Sequence, residues 1–155
     1  RATLDSLPPV RAIVAHSLGA AAAVWLLAEE PHDDVRALVV VGMPRDVGYM
    51  LDSFCLVLDL GKDVQAGLRR EFVRRFGATP EEFSPHALAA RLHVPTLVVH
   101  DADDDVAPIE HAQQFVAGLG SGRLNITTGL NHSGPLRAPE TIANIVAFVR
   151  EHIAA

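Results

Sequence analysis

The sequence predicts an α/β fold, a parallel sheet of about four strands flanked by helices. Three observations lead there. Short β-branched or apolar runs at residues 10–15, 35–41, 95–100 and 123–127 alternate with segments of helical periodicity. The second run is almost unbroken in apolar side chains, as in a strand covered on both faces. Proline and glycine stand where one segment gives way to the next.

In chain order, residues 1–9 are a polar lead-in that ends in proline, and 10–15 is the first strand. Residues 18–30 form a helix that is apolar on every face, through Val24, Trp25, Leu26 and Leu27, and so is expected to be buried on most sides. Pro31 ends it, and 35–41 is the second strand. Between 42 and 92 the pattern is helical or turn throughout. Val47, Met50, Leu51, Phe54, Cys55 and Leu58 recur at helical spacing, as do Val64, Leu68, Phe72 and Phe76. Gly61 and Gly77 punctuate these helices, Thr79-Pro80-Glu81-Glu82 reads as a capping box, and Ser84-Pro85 starts a short helix. This stretch far exceeds an ordinary crossover. It is either a lid inserted into the domain or a set of extra helices covering the sheet. The third strand is 95–100, followed by a helix at 108–119, the fourth strand at 123–127 and an amphipathic helix at 139–152 with Ile142, Ile145, Val146, Val149 and Ile153 on one stripe. The whole chain, 1–155, reads as one partial α/β domain with a lid-like helical insertion at 42–92.

Composition narrows the function classes. At 155 residues and 49% hydrophobic, the chain can build a real core. A net charge of −6 without a basic stripe argues against nucleic acid. The single cysteine, Cys55, excludes an internal disulfide framework and favours a reducing, cytoplasmic setting. No apolar run is long enough for a membrane span; the longest, 18–28, is short and rich in alanine. The chain opens on Arg1 rather than methionine, so the lack of a signal peptide says little about location.

The chemistry-bearing residues gather after strands. In Ala15-His16-Ser17-Leu18-Gly19 a strand turns into a helix within about two residues. A serine at that corner is either an ordinary N-cap or a strained, exposed nucleophile. Asp101, Asp103, Asp104 and Asp105 follow the third strand, and His132 follows the fourth. The carboxyl ends of parallel strands are where function collects.

These segments resemble the α/β-hydrolase family. The pentapeptide is similar to its nucleophile elbow, Gly-x-Ser-x-Gly, with Ala15 for the first glycine. Residues 95–108 resemble its acid segment, in which His-Gly precedes the aspartate and proline follows; matching His100 and Pro108 places the acid at Asp104. Asp101 stands where glycine is usual, and crowding of the turn is expected. Gly129-Leu130-Asn131-His132 is similar to the family's Gly-x-Gly-His, and Asn131 can take the left-handed backbone of the second glycine. The resemblance implies Ser17 as nucleophile, His132 as base and acid, Asp104 as orienting acid and the Leu18 N–H as oxyanion donor. The substrate implied is a small-molecule carboxylic ester or thioester, with no cofactor and no metal. A lid at 42–92 would shape a hydrophobic acyl or alcohol pocket.

Other readings of these residues are weaker. Asp101, Asp103 and Asp105 start like a calcium loop, but Val106 and Ala112 occupy the positions that need glycine and glutamate. His16 and His100 are expected to pack and hydrogen-bond, whereas His32, His86, His93 and His111 are expected at the surface. The Arg69–Arg75 cluster reads as a solvated helix face and Cys55 as core.

The resemblance also implies that these strands match strands 5–8 of an eight-stranded sheet. The first strand would then be a bare apolar edge, and the loop that supplies the second oxyanion donor would be missing. Pairing with a second copy or with an N-terminal half is therefore expected. The reading from a different class is a non-catalytic module that works by association through that edge.

Overall fold

The computed structural model describes Leu4 and residues 6–30 and 32–154; the helix stop expected at Pro31 and part of the lead-in lie outside these residues. Four strands, β1 (Ala12–His16), β2 (Ala37–Val41), β3 (Thr96–Asp101) and β4 (Gly122–Thr127), form one sheet in the order β1-β2-β3-β4. All three pairings are parallel, with His16 beside Val41, Val41 beside Val99 and Asp101 beside Thr127. This register aligns the four carboxyl ends on one rim. The four-stranded parallel sheet expected from the sequence is present; β1 lies one to two residues later in the chain than predicted.

Alternation along β2 and β3 divides the core. Leu38, Val40 and Val98 face α1 (Leu18–Glu29), the short α4 (Pro85–Leu88) and α5 (Ile109–Ala117). Ala37, Val39, Val41, Leu97 and Val99 face Ile145 and Phe148 of α6 (Pro139–Ile153). Both middle strands are buried along their whole length, which accounts for the apolar runs at Ala37–Val41 and residues 97–99. Each fully buried Val or Leu contributes roughly 1.5–3 kcal/mol of transfer free energy.

The helical stretch between β2 and β3 contains α2 (Val47–Val57), α3 (Lys62–Phe76), 3-10 turns at Pro80–Glu82 and Ala89–Arg91, and α4. Asp46 caps α2, its carboxylate accepting from the Tyr49 N–H at 2.6 Å. Glu82 accepts from the Thr79 N–H at 2.7 Å in the predicted capping box, which is present, and Ser84 caps α4 as expected. Arg69 is more than a solvated side chain: its guanidinium bridges Asp52 of α2, at 2.9 Å, and Glu81, tying α3 to its neighbours.

Three burial expectations need correction. Leu18 and Trp25 of α1 stand 48% and 40% exposed, because Phe72, Phe76 and Phe83, which face that side of the helix, leave an open cleft instead of closing on it. On α6 the buried face centres on Thr141, Ile145 and Phe148, leaving Ile142, Val146 and Ile153 outside, since a lone helix contacts the sheet along a narrow stripe. His111 is buried beside Tyr49 instead of lying at the surface, and His32 is half-buried. Cys55 is buried, and no described helix is long and apolar enough to cross a membrane.

Candidate active site

Ser17 lies between the last residue of β1 and the first of α1, with φ 53° and ψ −128°. Its side chain makes no cap hydrogen bond, so the N-cap reading does not describe it. A non-glycine residue with positive φ is costly unless its surroundings enforce it. Here the Ser17 N–H donates to the Val41 carbonyl at 2.9 Å, and the helix begins on the Ser17 carbonyl, which accepts from Ala20 and Ala21. The corner is held from both sides and the hydroxyl stands at the rim.

His132 reaches it from the loop after β4. Its Nε2 is 3.0 Å from Ser17 Oγ, and its Nδ1 is 2.8 Å from Asp104 Oδ2 and 3.1 Å from Oδ1. The carboxylate accepts at Nδ1, so that nitrogen carries the proton. Nε2 is left with a lone pair facing the serine hydroxyl, which donates to it. The Asp104 side chain is 1% exposed, and Oδ1 also accepts from the N–H groups of Val106 and Ala107, both at 2.8 Å. The structure thus brings Ser17, His132 and Asp104, separated by up to 115 residues, into one hydrogen-bonded line. Leu18 opens α1, so its N–H has no acceptor within the helix and sits at the positive end of the helix dipole.

The shell around this line is only partly legible in the sequence. His16 stacks at 4.7 Å on the His132 ring and its Nε2 donates to the His132 carbonyl at 3.0 Å, a packing and hydrogen-bonding role as expected. His100 is buried, and its Nε2 donates to the Ala107 carbonyl at 2.7 Å. Asn131 has φ 56°, the left-handed backbone expected of it.

Asp101 corrects an expectation. Instead of crowding the turn, its carboxylate ties the acid loop to the histidine loop. It accepts from the Thr127 hydroxyl at 2.7 Å and from the N–H groups of Asp103, Leu130 and Asn131 at 3.1 Å each. Burial pushes this carboxyl up, but these donors outweigh it and hold the pKa below the usual aspartate value. Asp103 adds a second tie, accepting from the Gly129 N–H at 2.8 Å. Gly42, at φ +56°, was also missed; a Cβ there would lie 3.2 Å from the His132 ring. The only sequence signals for these were the run of aspartates past a buried strand and a glycine directly after another.

Among the described residues, no three His, Cys, Asp or Glu side chains are placed to hold a metal ion.

The profile of the serine hydrolase family matches residues 1–136. Among solved structures, the chain is similar to one described as the non-heme bromoperoxidase BpoC from Mycobacterium tuberculosis H37Rv, with TM-score 0.67, 20% identity, and coverage of 97% of this chain and 69% of that one. It is similar to the esterase domain of a Rhodothermus marinus protein, with TM-score 0.66, 18% identity, and coverage of 98% and 65%. A hydrolase from Pseudomonas aeruginosa PA01 has TM-score 0.68, 19% identity, and coverage of 96% and 68%. The chain therefore spans about two-thirds of the length of these structures. No curated protein sequence matches it. With its four-stranded parallel sheet and helical flanks, the chain is an α/β-hydrolase-fold protein and belongs to the serine hydrolase family.

Proposed function

We propose that this chain carries the reaction centre of an esterase or thioesterase that works through an acyl-enzyme on Ser17. The observation that carries the reading is the pair of contacts on one imidazole, 3.0 Å to Ser17 Oγ and 2.8 Å to Asp104. A serine hydroxyl is a weak nucleophile until a base accepts its proton. As Ser17 Oγ attacks the substrate carbonyl, its proton passes to His132 Nε2, and Asp104 stabilises the imidazolium that forms. The Leu18 N–H donates to the oxyanion, and one such donor is worth about 2.7–4 kcal/mol of barrier. Collapse of the tetrahedral intermediate breaks the carbonyl–oxygen or carbonyl–sulfur bond, and His132 returns the proton to the leaving alcohol or thiol. Water then repeats the sequence on the acyl-enzyme and frees the acid. The substrate is a small molecule and the setting cytoplasmic, in keeping with one buried cysteine. Residues 1–155 act as one partial domain, corresponding to strands 5–8 of the family sheet, with 42–92 as its lid.

The test is labelling by a fluorophosphonate probe, with Ser17→Ala beside it. Covalent labelling of the parent chain that vanishes in the variant is the expected result. A folded parent chain that stays unlabelled at probe concentrations that label an active serine hydrolase would overturn the reading.

A second reading has its own observation. Val14, in the middle of β1, is 51% exposed on the open side of the sheet. An apolar edge of this kind invites pairing with a second copy or an N-terminal half. Sedimentation at micromolar concentration is expected to show self-association, and a stable monomer would count against it.

A further inference from the structure

One cleft beside Ser17 is walled entirely by apolar side chains. Leu18, Ala22 and Trp25 line it from α1; Phe72, Phe76 and Phe83 face them from across the cleft. Trp25 and Phe83 have ring centroids 5.7 Å apart, and Phe83 meets Phe72 edge-on at 5.4 Å, so the aromatic wall is continuous. The cavity holds about 370 Å³, within the range of about 300–1,000 Å³ typical of small-ligand sites. Phe76 is nevertheless 60% exposed, so these rings border open space instead of closing a core.

Geometry connects this cleft to the reaction centre. Leu18 has its N–H at the oxyanion position proposed above and its side chain at the mouth of the cleft. From Leu18 to Trp25 the helix advances seven residues, roughly 10 Å at 1.5 Å per residue. That is the reach of an extended alkyl chain of about eight carbons. We propose that the cleft is the acyl site, and that it takes an unbranched, uncharged acyl chain of about eight carbons with its carbonyl at Ser17. This rests on the acyl-enzyme reading of Ser17.

Trp25 is the single tryptophan of the chain, so its emission reports on this cleft alone. The experiment titrates methyl octanoate, with methyl acetate as the short control, into Ser17→Ala, which cannot turn either over. Octanoate is expected to shift Trp25 emission saturably to the blue and acetate to leave it unchanged at equal concentration. Ala22→Phe in the same background fills the cleft and is expected to weaken octanoate binding about tenfold or more. Phe76→Ala changes an exposed ring, leaves the fold intact by circular dichroism, and is expected to weaken binding several-fold. No octanoate response, or one that neither Ala22→Phe nor Phe76→Ala weakens, overturns the proposal. So does emission that depends on protein concentration without ester, which would mean that a second copy fills the cleft. Fluorophosphonate labelling of the parent chain separates the two ideas. A labelled Ser17 with no octanoate response refutes the acyl site alone; an octanoate response with an unlabelled Ser17 refutes the esterase reading and leaves an apolar-chain site.

Discussion

The Tyr49 hydroxyl donates to the Val106 carbonyl at 2.9 Å, which fastens α2 to the loop that presents Asp104. The N–H of Ala107, in the same peptide unit, donates to Asp104 Oδ1 at 2.8 Å, so one peptide unit joins the helices between β2 and β3 to the acid of the candidate site. Tyr49→Phe removes only the hydroxyl and keeps the ring against His111, at 4.7 Å. It is expected to cost about 1 kcal/mol of stability. The second-order rate of fluorophosphonate labelling is expected to fall about threefold to tenfold, since small misplacements of a reacting constellation are costly. Urea unfolding and labelling kinetics on one preparation check both figures.

Asp101 should matter more to stability than any other residue of the rim. Asp101→Ala leaves the Thr127 hydroxyl and three N–H groups without their acceptor. A loss of about 3 kcal/mol or more is expected. Because the folded chain holds this carboxyl below its ordinary value of 3.8, the ionised form stabilises the fold. That contribution is fully present above the ordinary value and is lost as pH falls through the lower, folded one. Thermal unfolding of the parent chain from about pH 6 to pH 3 should show it, with a shallower decline in the variant.

His111 sets a second pH dependence, in a higher window. Burial, with the Arg45 charge next in weight, holds its pKa below the ordinary 6.5. The neutral ring is the form that the fold favours. Its contribution is complete above about pH 6.5 and is lost as pH falls below that value. Replacing His111 by leucine should flatten the stability profile between about pH 7 and pH 5. An unchanged slope in calorimetry would contradict this.

Gly42 leaves room for the His132 ring. Its φ of +56° and the 3.2 Å distance from a would-be Cβ to that ring make Gly42→Ala unfavourable twice over. The backbone strain is worth about 1–2 kcal/mol. Displacement of the ring is expected to slow labelling about tenfold or more, in excess of any effect of unfolding. Labelling of the variant at the parent rate would show that the ring does not depend on this glycine.

Much of the fold was legible because the signals were local. Buried parallel strands favour apolar runs, and the segments at 35–41 and 95–100 carry them in Ala37–Val41 and residues 97–99. Ser84 and Gly77 announced helix ends through their own side-chain and backbone chemistry. Burial around the helices was not legible. Trp25 and Ile142 are apolar in either environment, and only the presence or absence of a neighbour decides whether they meet water. His111 likewise looks like any surface histidine until Tyr49 is placed against it.

The order of strands and helices, the sharp turn at Ser17 and the identities of Ser17, Asp104 and His132 as residues to examine were determined by the sequence itself. The first two rest on periodicity and on the chemistry of a few adjacent residues, and the choice of Asp104 among four aspartates rests on the resemblance to the family's acid segment. Tertiary structure alone decided that the Ser17 hydroxyl and the His132 ring stand 3.0 Å apart. It also decided that Asp101 joins two loops, and that the aromatic rings of α1 and α3 face each other across a cleft. The physical reason is that a distance between residues remote in the chain follows from how the whole sheet is paired and covered. No local stretch of sequence holds that information.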